Sequence, residues 1–128
     1  MTDIIKKIQS QPNFYAMTGT TQSQIEQAEK ALGIMFSNEY REYLIAFGTA
    51  SFSGHEFTGI CKSSRLNVAD VTTYERTKNP TVPLNLYVVE QVNIDGIVVW
   101  QSSTGEVYQS APKAPLLKIF DSLCEYIG

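Results

Sequence analysis

Histidine and tryptophan occur once each, at His55 and Trp100, and cysteine only twice, at Cys61 and Cys124. So few nitrogen and sulfur ligands do not make the usual zinc site, which takes several His or Cys side chains. Two cysteines outside any CxxC pair do not make a disulfide scaffold either, and they read as reduced, buried thiols. No apolar run reaches the roughly eighteen residues that a transmembrane helix needs, so no membrane contact is expected. The first ten residues place Lys6 and Lys7 behind isoleucines, without an apolar centre or a small-residue cleavage site, so no export signal is expected and the chain reads as cytoplasmic. GxxxxGK[ST], HExxH, GxSxG and a GxGxxG after a strand are all missing, which leaves the common cofactor and hydrolase chemistries without their residues. No cofactor and no metal are called for. Basic charge is scarce as well: the net charge of −3 disfavours a nucleic-acid partner and suits a cationic protein.

What remains is enough to fold. The 128 residues amount to one domain, spanning 1–128, and 43% hydrophobic against 18% charged residues is the balance of a chain that buries a core. Ile4, Ile5 and Ile8 form a short amphipathic stripe that Pro12 ends. Thr20 or Thr21 caps a second helix carrying Ile25, Ala28 and Leu32, closed by Gly33. Ser37 caps a third, with Glu39 in its first turn and Tyr40, Tyr43, Leu44 and Phe47 as a wide apolar stripe stopping at Gly48. Thr49 to Gly59 is glycine-rich and aromatic, a loop that feeds a strand.

Further on, Leu66 to Thr73 reads as extended and Tyr74 to Pro83, polar and broken by prolines, as a surface connection. Leu84–Gln91, Ile97–Gln101 and Glu106–Gln109 are β-rich, separated by turns at Asn93-Asp95-Gly96 and Thr104-Gly105, and predict an antiparallel meander. Leu116 to Phe120 adds a short strand, and Asp121 or Ser122 caps a last helix with Leu123, Tyr126 and Ile127. This order predicts an α+β fold, an antiparallel sheet with helices packed on one face or edge.

Alternation puts Val98 and Trp100 on one face of the central strand and Ile97, Val99 and Gln101 on the other. One face stays partly open unless a further layer covers it. From Leu84 to Pro112 the ionisable residues are Glu90, Asp95 and Glu106 with no lysine or arginine before Lys113, so the meander is locally acidic. Such charges commonly only solvate a sheet. With Tyr87 and Tyr108 they also make an aromatic-edged acidic patch suited to a basic protein, while Trp100 reads as a core or half-core residue before a recognition anchor. His55 reads as a turn-stabilising residue before a ligand or base, and the Glu56 carboxylate either accepts backbone N–H groups or faces a partner.

The run TQSQIEQAEKALGIMFSNEYREYLIAFGTASFSGHEFTG, Thr21 to Gly59, resembles the opening of the Smi/Knr-like group of the SUKH superfamily. The resemblance is carried by Ile25, Glu29, Leu32, Gly33, Ile34, Tyr40, Leu44, Gly48, Gly54, Glu56 and Gly59. VADVTTYERT, LYVVEQVNIDGIVVWQSSTGEVYQ and KIFDSLCEYI extend it over nearly the whole chain. Ser37 stands where this group usually has proline, and as an N-cap it does the same work. Thr49 stands where a glycine turn is common.

The resemblance implies an α+β domain that is not an enzyme. Bacterial members are mostly immunity proteins that bind and neutralise a cognate toxin, often a nuclease, and fungal relatives are regulatory or scaffolding domains tied to cell-wall signalling. On that footing Glu56, Tyr87, Glu90, Asp95, Trp100, Glu106 and Tyr108 are the expected partner-binding residues. A monomer or weak homodimer is expected.

Overall fold

The computed structural model describes residues 3–128; Met1 and Thr2 lie outside the described residues. Helix α1 (Asp3–Gln9) leads into the short strand β1 (Tyr15–Ala16), followed by α2 (Gln22–Leu32) and α3 (Asn38–Phe47). Thr21 begins α2 with a capping box, its hydroxyl accepting the Gln24 N–H while the Gln24 side chain reaches back to the Thr21 N–H. Ser37 begins α3 by accepting the Tyr40 N–H at 3.0 Å. Gly48 ends α3 at φ +71, where a Cβ would run into the Thr18 carbonyl oxygen, and Gly59 packs its α-carbon against the Gly48 carbonyl. The chain turns there in a space that only two glycines allow.

The glycine-rich segment expected to be a loop folds into β2 (Ala50–Phe52) and β3 (His55–Glu56), which with β1 form a three-stranded antiparallel sheet in the order β1-β2-β3. The larger sheet contains β4 (Tyr87–Gln91), β5 (Val98–Gln101), β6 (Val107–Ser110) and β7 (Leu117–Phe120), antiparallel in sequence order. It is the predicted meander, with the Leu116–Phe120 segment paired as its fourth strand. Ser122 caps the final helix α5 (Leu123–Ile127) by accepting the Glu125 N–H.

One region corrects the sequence reading. Residues 66–83 are not an extended stretch and a connection: Val68–Lys78 is α4, capped by Asn67, whose side chain accepts the Ala69 N–H at 3.0 Å. Its inward stripe is Val68, Val71, Thr72 and Glu75, helical in spacing but half polar. Thr72 and Glu75 spend their polar atoms on β4, Thr72 Oγ1 accepting the Val88 N–H at 3.0 Å and Glu75 Oε2 accepting from Gln91 Nε2 at 2.6 Å. An inward face made by hydrogen bonding rather than by apolar contact leaves little hydrophobic pattern to read.

Helix α4 is also the layer that sequence reasoning lacked. One side of the large sheet, with Tyr87, Val89, Val99 and Val107, packs on α1, α2 and α3. The other side, with Val88, Val98 and Trp100, packs on Val71 of α4 and on Val82 and Leu86 beyond it. Both faces are therefore covered over β4 and β5, while β7 stays largely exposed.

Thr58 joins the two sheets. Its N–H donates to Val89 O at 2.8 Å, its hydroxyl donates to Val88 O at 2.8 Å and meets Tyr40 Oη at 2.8 Å, and its carbonyl accepts from Tyr43 Oη at 2.7 Å. All of these atoms are buried. Thr58→Val keeps the volume but removes a bond from Tyr40 Oη and from the Val88 carbonyl, and is expected to cost about 2–4 kcal/mol in urea unfolding. A cost below about 0.5 kcal/mol would remove Thr58 from this role.

Candidate functional site

Two of the expected partner-binding residues are core residues. Tyr87 and Trp100 are both fully buried. Tyr87 Oη donates to Gln101 Oε1 at 2.7 Å and accepts the Ser37 N–H at 3.0 Å, and its ring packs edge-on against Phe36, 4.8 Å between centroids. Trp100 Nε1 donates to Ser110 Oγ at 2.9 Å. The expectation that these rings line an open face is thus corrected. The physical reason is α4, which closes the Trp100 side, while α3 closes the Tyr87 side.

Glu90 is likewise buried instead of facing solvent, although it lies on the strand that was read as acidic. A register shift between Val88 and Glu90 accompanies its inward turn. Its carboxylate accepts from Tyr126 Oη at 2.6 Å and meets His55 Nδ1 at 3.0 Å, and Oε2 accepts the Glu56 N–H at 3.3 Å. His55 lies against Phe52 and Tyr126, ring centroids 5.5 and 5.4 Å away. The hydrogen bond to the Glu90 carboxylate lifts the His55 pKa against a smaller opposing effect of burial. Burial first, and then Glu90, push the Tyr126 phenol upward. The Glu56 side chain goes elsewhere, pairing in a fork with Arg65 at 2.7 and 3.0 Å, and that hydrogen bonding holds its carboxyl below the ordinary range.

The remaining expected residues do not converge. Asp95 is exposed in the turn between β4 and β5, and Glu106 follows the turn between β5 and β6, at the opposite end of the sheet. Glu106 accepts from Thr104 at 2.7 Å and Ser102 at 3.0 Å, which lowers its pKa, Thr104 contributing most. Tyr108 is half-buried beside Trp100, opposite Lys118 on β7. The acidic patch of the sequence reading is split in three.

Helix α4 brings together another group that sequence reasoning missed. Between α4 and the β4–β5 turn lies a hollow of about 380 Å³ lined by Tyr74, Glu75, Asn79, Gln91 and Asn93, among others. A neighbouring hollow of about 340 Å³ shares Tyr74 and Gln91 and adds Arg65 and Asp70. Asp95 sits in the turn that closes the first, and Glu56 reaches the second through Arg65. The signal for this face was in the sequence: Asn67 and Asp70 begin a helix, Arg76 and Lys78 end one, and Glu75 completes the i, i+3, i+4, i+7 stripe.

A second cleft, of about 520 Å³, opens among α1, α3, α5 and the β5–β6 turn, with Asp3, Glu39, Glu42 and Asp121 on its walls. Glu39 is engaged in structure there, accepting the Leu123 and Cys124 N–H groups at 2.7 and 3.1 Å and so seating α5. Burial, with Glu39 adding to it, pushes the Cys124 thiol up to about 11. Among the described residues no three His, Cys, Asp or Glu side chains are placed to hold a metal ion, and no helix is long and apolar enough to cross a membrane.

A family model described as SMI1-KNR4 cell-wall, one of the SUKH models, matches residues 1–127. No curated protein matches the chain.

His55 sets a pH dependence whose sign is fixed by its raised folded pKa. Its contribution to stability is fully present below the unfolded histidine value and is lost as pH rises through the folded one. His55→Gln is expected to cost more stability at about pH 5.5 than at about pH 9 in urea titrations of both proteins. Equal costs at both ends would show that the Glu90 contact does not favour the imidazolium.

Proposed function

The chain belongs to the SMI1-KNR4 family of SUKH domains, and on that premise we propose that it is a cytoplasmic immunity protein, a monomer or weak homodimer, that binds and neutralises a basic, nuclease-type bacterial toxin without catalysis of its own. The observation that carries this reading is the family match over residues 1–127. The fold supports rigid docking: with β4 and β5 packed on both faces, a partner meets a preformed surface and little ordering is needed on association.

The docking face is the outer side of α4 with the β4–β5 turn. Tyr74 and Ile94 leave 52% and 61% of their surface exposed there, enough for each to act as an apolar anchor. Asp95 and the Glu56–Arg65 pair flank them. Carboxylates at such a rim speed capture of a cationic partner, and the anchors slow its release. Glu106 and Tyr108 stand away from this face and supply long-range charge and packing.

Co-expression with the product of the adjacent gene tests the reading. Co-purification of the pair with rescue of growth is expected, whereas neither toxicity nor a complex would overturn immunity and leave the regulatory, scaffolding domain. Within the complex, Asp95→Lys is expected to slow association about three- to tenfold at low salt and Glu106→Lys less. Equal effects, or none, would move the interface off the α4 face.

A further inference from the structure

Three glutamates are buried among the described residues, and they are not treated alike. Glu29 pairs with Arg41 at 2.6 Å and Glu90 with His55 at 3.0 Å. Glu75, 7% exposed, receives two hydrogen bonds, from Gln91 Nε2 at 2.6 Å and Asn79 Nδ2 at 3.2 Å, and both donors are neutral amides. No cation stands within ion-pair distance of it among the described residues. A buried carboxylate ordinarily has a cation or a metal beside it. Lys78 lines the same hollow and acts on Glu75 electrostatically but makes no ion pair with it: its ammonium lies over the Tyr74 ring, 5.0 Å from the centroid.

Glu75 also lines the open hollow of about 380 Å³ beside α4, so a cation from outside can reach it. Each carboxylate oxygen keeps a lone pair beyond the one that Asn79 or Gln91 occupies. Because those two amides turn their NH₂ groups to Glu75, their carbonyl oxygens are left as acceptors on residues that line the same hollow. Asn93 adds an amide on the turn side, and Tyr74 an exposed ring at the wall. Several acceptors around one charge, beside an aromatic face, match a planar guanidinium with five N–H donors better than a compact ammonium with three.

We propose that the Glu75 hollow receives an arginine side chain of the partner protein, whose guanidinium becomes the counter-ion that Glu75 lacks. The inference rests on the immunity reading for the source of that arginine, but the pocket's chemistry stands apart from it. Arginine then sits at the centre of the docking face, with Tyr74 beside it and Asp95 in the turn above.

The test uses N-acetyl-arginine amide, whose only charge is the guanidinium, titrated into the full chain and followed by NMR. Saturable shifts confined to the side-chain amides of Asn79, Gln91 and Asn93 are expected, with millimolar affinity. Glu75→Gln is expected to weaken binding about tenfold or more. Lys78→Ala, an exposed change that should not disturb folding, is expected to strengthen it severalfold by removing a like charge. Absence of these shifts, or no response to Lys78→Ala, would overturn the proposal. So would equal binding of N-acetyl-lysine amide, since the pocket would then read charge and not guanidinium shape. Arginine binding without toxin rescue would sink the immunity reading alone, and rescue without arginine binding would sink this one alone.

Discussion

The contact on which the other layers depend is the hydrogen bonding of Thr58 along the outer edge of β4. A sheet edge presents unpaired carbonyls and N–H groups, and a buried edge must satisfy all of them. Here Thr58 serves Val88 O and Val89 O, while Thr72 of α4 serves the Val88 N–H. Tyr40 and Tyr43 of α3 close the network from below. Two phenols in a core tolerate burial because each has a partner, and burial keeps both protonated, well above the ordinary tyrosine range. The small sheet, the large sheet, α3 and α4 are thus held at one junction.

From that junction follows the placement of the α4 face proposed for docking. Once α4 is tied to β4 through Thr72 and Glu75, its inner side covers Val98 and Trp100 and its outer side becomes the exposed surface next to the β4–β5 turn. The same helix that buries Trp100 carries Tyr74 on its outer side and Glu75 at the hollow beside it. Burial of Trp100 and exposure of Tyr74 are two consequences of a single packing event. A rigid surface of this kind suits capture by preformed complementarity.

Glu90 shows how one strand residue changes its role with register. Alternation alone counts it among the surface charges of the meander, but the irregularity after Val88 lets it face α5 and β3. There it collects His55, Tyr126 and the Glu56 N–H, so the single histidine of the chain is a fastening between β3, β4 and α5. Glu56 in turn is free to meet Arg65.

Much of this was legible in the residues themselves. Thr21 and Ser37 as caps, Gly33 and Gly48 as stops, the three turn-separated strands and the closing helix are local features, set by backbone preference and by side chains bonding to their own neighbours. The α+β class and the family likeness follow from their order. Helix α4 was missed because its inward positions include Thr72 and Glu75, whose stabilisation comes from hydrogen bonds to a strand sixteen residues away, as Thr72 to Val88 and Glu75 to Gln91. The burial of Trp100, Tyr87 and Glu90, the separation of Asp95 from Glu106 and the hollow around Glu75 all depend on which elements pack together. Local chemistry along the chain determined the elements; only the long-range pairing of polar groups decided which side chains are buried and which stay exposed.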